Sequence, residues 1–169
     1  MKTNTILLAL FILTNSICKS QITPDYPFKT YLDSANNLYV TGYQLQGNTN
    51  EIYTAKYPPN NDPNPYWERT YPNPFGDDRG LDLAVDIQGN TYVTGYIYNN
   101  ITNSNDIITL KYNSAGIIQW NRIYKNGGDD KGMGIDLSYA LNIVEEIFIT
   151  GYITGATTGK DLSLKNIIQ

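Results

Sequence analysis

One five-residue phrase recurs along this chain. Tyr39-Val40-Thr41-Gly42-Tyr43 returns as Tyr92-Val93-Thr94-Gly95-Tyr96, and again in altered form as Phe148-Ile149-Thr150-Gly151-Tyr152. The glycines stand 53 and 56 residues apart. Repetition at nearly constant distance means that one supersecondary unit is copied along the chain. Each copy can then bury its apolar surface only against its neighbours. The matching extends beyond the phrase: Asp33 with Asp86, Trp67 with Trp120, Arg69 with Arg122 and Tyr71 with Tyr124, all at an offset of 53. Lys56, Lys111 and Lys165 follow at 55 and 54.

Within a copy, short β-branched and aromatic runs alternate with turns rich in Asn, Gly and Pro. Strands are predicted over 28–33, 38–43, 52–57 and 66–71 in the first copy, and over 81–86, 91–97, 107–112 and 117–124 in the second. The prolines at 58, 59 and 63 make 58–65 a loop, because proline cannot donate to a sheet ladder. Asn37 is read as standing where the second copy has Gly89. The third copy is longer between Ile135 and Phe148. Leu137, Leu141 and Val144 would fit one face of a short helical turn there, but a strand keeps the register of the other copies and is preferred. A third strand over 162–165 follows, with no tryptophan-bearing fourth strand after it.

A four-stranded unit of about 50 residues has the size of a propeller blade. The expected fold is all-β: a partial β-propeller arc of about three four-stranded antiparallel blades, the last incomplete. Blade 1 is placed at 21–77, blade 2 at 78–131 and blade 3 at 132–169. Tyr92, Thr94 and Tyr96 point one way and Val93, Gly95 and Ile97 the other, so the strand is expected to be buried on both faces. The glycine is expected to admit a bulky residue from the adjacent blade, with Trp67 and Trp120 as candidates.

Residues 1–20 read as a secretory signal peptide: Met1-Lys2, an apolar run from Ile6 to Leu13, then Cys18-Lys19-Ser20. The run is too short to span a bilayer, so no membrane span is expected. Cleavage after Ser20 leaves no cysteine; the rival reading is a lipoprotein acylated at Cys18. The mature chain would carry 10 basic and 16 acidic residues, which argues against nucleic acid and anionic membranes. The sequence has no histidine, which removes Ser-His and Cys-His nucleophile pairs and histidine-ligated metals.

The pattern Asp86 to Tyr96, then Asp106 to Trp120, then Gly127 to Asp130 resembles the bacterial β-propeller repeat family labelled SBBP. The resemblance implies an exported bacterial propeller and leaves its ligand open. An arc of three blades would have two open faces, so the chain is expected to be a fragment of a longer propeller or to pair as a homo-oligomer.

Acidic pairs precede the first strand of a copy: Asp77-Asp78 and Asp129-Asp130, with Asp25 at the matching place. As a ring of carboxylates they could hold a hard cation such as calcium. As turn residues beside glycine they would simply accept backbone N–H bonds, which is the preferred reading. No cofactor or catalytic residue is assigned. The sialidase propeller box is absent, and Asp33 and Asp86 lie at strand-to-turn junctions. Tyr98-Asn99-Asn100 and Asn48-Thr49-Asn50 could contact sugars, though the same residues are ordinary loop chemistry. The expected role is non-enzymatic binding of a protein or glycan, or scaffolding, outside the cell or at its surface. Specificity is expected in the rim segments 44–50, 98–105 and 154–160. The alternative is an exported carbohydrate-active enzyme using carboxylates.

Overall fold

The computed structural model describes residues 25–59, 62–155 and 159–168. The signal peptide expected at 1–20 lies outside them. The described residues form eleven antiparallel strands in three sheets. The first sheet is β1 (Asp25–Leu32), β2 (Leu38–Gln46), β3 (Thr49–Tyr57) and β4 (Trp67–Tyr71), paired in that order. The second repeats it with β5 (Arg79–Val85), β6 (Thr91–Asn99), β7 (Ser104–Tyr112) and β8 (Ile118–Tyr124). The third has β9 (Lys131–Ala140), β10 (Ile143–Gly155) and β11 (Gly159–Ile168), with β10 in the middle. The sheets stack into an open arc of propeller-type blades.

The turns explain where the strands stop. Asp33 accepts the N–H groups of Ala35 and Asn37, both at 2.9 Å. Asp86 does the same for Gln88 and Asn90, at 3.0 and 2.8 Å. Each carboxylate thus folds its turn back into the next strand. The left-handed position is Gly89, at φ 79°, in the second sheet and Asn36, at φ 63°, in the first. The counterpart of Gly89 is therefore Asn36, not Asn37; asparagine tolerates this backbone better than most residues. The stretched third copy is a longer hairpin without a helical turn: β9 and β10 meet at Leu141-Asn142, at φ 51° and 66°. Lys131, expected to end the second blade, opens β9, where its backbone pairs with Tyr152.

The central strands of the first two sheets are buried on both faces. Residues Tyr92 to Ile97 of β6 are all buried, Tyr92, Val93 and Thr94 completely. Val93 and Ile97 join Tyr39, Ile52 and Trp67 of the first sheet in one core. Tyr92 faces the other way, into a core with Ile135, Ile147 and Ile149 of the third. Leu38, Val40, Tyr53, Ala55 and Tyr57 form a third buried cluster on the opposite face of the first sheet.

The glycine of the repeated phrase has a different cause from the one expected. A Cβ on Gly95 would lie 1.9 Å from the Arg79 carbonyl oxygen; on Gly42, 1.9 Å from that of Tyr26; on Gly151, 2.0 Å from that of Lys131. What presses on it is the backbone of the first strand in its own sheet. There a bulge shifts the register, as between Gly80 and Asp82 opposite Gly95 and Thr94. The tryptophans lie elsewhere. Trp67 covers the Asn113–Ile117 turn of the next sheet, its ring against Gly116 and its Nε1–H donating to the Ser114 carbonyl at 3.1 Å. Trp120 packs edge-on to Tyr92, with ring centroids 6.3 Å apart.

Candidate functional site

The acidic pairs sit in the links between sheets. The Asp78 N–H donates to the Asn50 carbonyl of the preceding sheet at 2.9 Å. Its Oδ1 accepts the Tyr98 N–H of its own sheet at 2.8 Å and the Asn73 amide at 3.0 Å. Asp130 repeats the arrangement one seam later. Its N–H donates to the Asn105 carbonyl at 2.8 Å, and its Oδ1 accepts the Thr154 N–H at 2.8 Å. Each second aspartate therefore clasps the hairpin of one sheet to the middle strand of the next. A local turn cap does not describe this, because the backbone partners lie 20 or more residues away.

Both carboxylates are fully buried. Burial pushes the Asp78 carboxyl up to about 7, against the two hydrogen bonds that favour its charge; Glu51 and Asp77 nearby add to the rise. Burial likewise raises Asp130, with Asp106 and Asp129 contributing. The first members of the pairs are more accessible and tie down the same hairpins. Asp77 accepts the Asn50 N–H at 3.1 Å, and Asp129 accepts the Asn105 side-chain amide. The four aspartates are thus split between two seams. Among the described residues no three acidic, histidine or cysteine side chains gather as a metal site.

The turn aspartates are committed in the same way. Burial opposes the charge on Asp33, but hydrogen bonds from Asn37, Ala35 and Tyr39 outweigh it and hold the carboxyl below its usual range. Tyr98 is no exposed stacking platform, since its ring packs against Gly76 of the first link and its hydroxyl donates to Asn103. Asn99 donates to Asp106 at 2.8 Å. The rim segments are mostly strand. Gln46 pairs with Thr49 across a two-residue tip, and Asn99 with Ser104 across a four-residue one. Residues 156–158 of the third rim segment lie outside the described residues.

A concave feature that sequence reasoning missed lies on the outer side of the first seam. Arg69, Tyr71 and Pro72 face Tyr112, Ile117 and Ile118 across a groove of about 510 Å³. Ile117 and Ile118 are exposed, and the Arg69 Nε–H is held by the Gly116 carbonyl at 2.8 Å. Its walls come from two repeats, so no local pattern announces it. Their chemistry suits a flat apolar group. Among the described residues no helix is long and apolar enough to cross a membrane. No family model matches the chain, and no curated protein matches it.

Proposed function

We propose that the chain is an exported propeller-repeat protein of the SBBP type that works by binding or scaffolding, without catalysis, outside the cell or at its surface. The observation that carries this reading is the employment of the recurring acids. Asp33 and Asp86 close turns, and Asp78 and Asp130 clasp seams, each through backbone N–H groups. A general acid or nucleophile for glycoside chemistry needs a carboxyl directed at a substrate. These four are directed at the fold. The hairpin tips are where the three repeats differ, and differing surfaces on a repeated scaffold are where recognition resides.

A glycan array together with a panel of chromogenic glycosides tests the reading on one purified sample. Binding without turnover is the expected result. Turnover that Asp→Asn changes at positions 77 and 129 abolish would instead favour the exported carbohydrate-active enzyme.

A further inference from the structure

The two seams are built to one code. At the first, a Cβ on Gly80 would lie 2.3 Å from the Thr41 Oγ1; at the second, a Cβ on Gly132 would lie 2.3 Å from the Thr94 Oγ1. No other residue type fits so close to a side chain that is fully buried in both cases. The residue before the glycine is basic and lies over the tyrosine that ends the repeated phrase. Arg79 is 4.6 Å from the Tyr43 ring and Lys131 is 4.3 Å from the Tyr96 ring. The residue before that is the clasping aspartate, and three residues after the glycine Leu83 or Ile135 enters the seam core. A sheet that docks therefore presents Asp, a basic residue, Gly, two variable residues, then Leu or Ile.

The third sheet carries the receiving half of this code once more. Phe148, Thr150 and Tyr152 occupy the places of Tyr39, Thr41, Tyr43 and of Tyr92, Thr94, Tyr96, and Thr150 is exposed. This chain's own first sheet does not carry the matching half. Pro27 pairs with Gly42 in the register that Gly80 has with Gly95, and Tyr26 stands in the basic place. A proline ring at that position would collide with the threonine. We propose that the Thr150 face is a docking surface for a partner sheet of this same repeat type, one whose inner strand reads Asp–basic–Gly–x–x–Leu/Ile, and that Pro27 bars a second copy of this chain from it.

The test introduces Thr150→Cys in a Cys18→Ser background and follows maleimide labelling of the new thiol. Three proteins are compared: the chain itself; a tandem in which residues 57–124 are repeated after Lys165; and the same tandem with Arg79→Tyr and Gly80→Pro in the repeated part. Lys165 stands where Lys56 does, so the repeat continues in step. The thiol at position 150 should label rapidly in the chain, about tenfold or more slowly in the first tandem, and rapidly again in the second. A Thr94→Cys version of each protein, slow to label while the existing seam is intact, confirms that the fold persists. Equal labelling at position 150 in the two tandems would overturn the proposal. So would a chain in which that thiol is protected until dilution, because a second copy would then cover the face.

Discussion

At the scale of single residues, the recurring side chains solve backbone problems. Gly95 leaves room for the Arg79 carbonyl, so the smallest substitution already collides with main chain. Gly95→Ala should cost at least about 1–3 kcal/mol, read as a lower urea midpoint. A midpoint unchanged from the parent would refute the close-approach account. Asp78 is the residue with a pH signature. A carboxyl whose folded pKa is raised contributes stability that is full at low pH and is lost as pH climbs through the folded value. The parent's melting temperature should therefore fall relative to that of Asp78→Asn as pH rises from about 4 to about 7, and level off above it. Asparagine keeps the Oδ1 that accepts from Tyr98 and Asn73, so the comparison isolates the charge. The sequence announced that these residues matter, because they recur. It did not say which atoms they meet, since Asp78 and Tyr98 touch only after two strands have folded back.

Elements were the most legible level. Alternation and turn chemistry located the strands, and the errors were of extent: hairpins expected to be rim loops continue as paired strand almost to their tips. The third copy shows the reason. Its tip, Leu141-Asn142, has both residues left-handed, a turn that asparagine and glycine favour and leucine resists. Nothing local marked it as a hairpin. Leu141 is almost fully exposed, so its side chain gains nothing there. Leu141→Asn with Asn142→Gly should stabilise by about 1–2 kcal/mol, the cost of a left-handed leucine. For a chain of this length that is about 2–4 °C per kcal/mol in thermal melting. Trp67 illustrates the opposite limit. Its recurrence at Trp120 indicated a core role, which it has, but the turn of the next sheet that it covers was not legible. Trp67→Ala should cost about 3–5 kcal/mol, and Trp67→Phe clearly less because the ring stays over Gly116.

In the whole molecule, Asp82 joins all three sheets. Its Oδ1 meets the Lys29 ammonium of β1 at 2.9 Å, and its Oδ2 accepts the Ile135 N–H of β9 at 3.0 Å. The two contacts are unequal. Lys29 is half-exposed, so the ion pair is worth up to about 1 kcal/mol, while an unsatisfied Ile135 N–H costs about 1–3 kcal/mol. Asp82→Ala should therefore destabilise more than Asp82→Asn, with faster amide exchange concentrated in β9. In about 0.5 M salt, where the Debye length is about 4 Å, the gap between the two variants should persist, because screening weakens the ion pair and leaves the hydrogen bond.

From the sequence alone came the unit: a four-stranded antiparallel blade, its phrase buried on both faces, copied at near-constant spacing. That much is local, because strand alternation and Asx turns depend on neighbouring residues. How one blade grips the next emerged only from the folded chain. The clasps of Asp78 and Asp130, the fit of Gly80 and Gly132 against threonine, and the reach of Asp82 all join residues from different copies. Those contacts depend on distances that a repeat spacing does not encode.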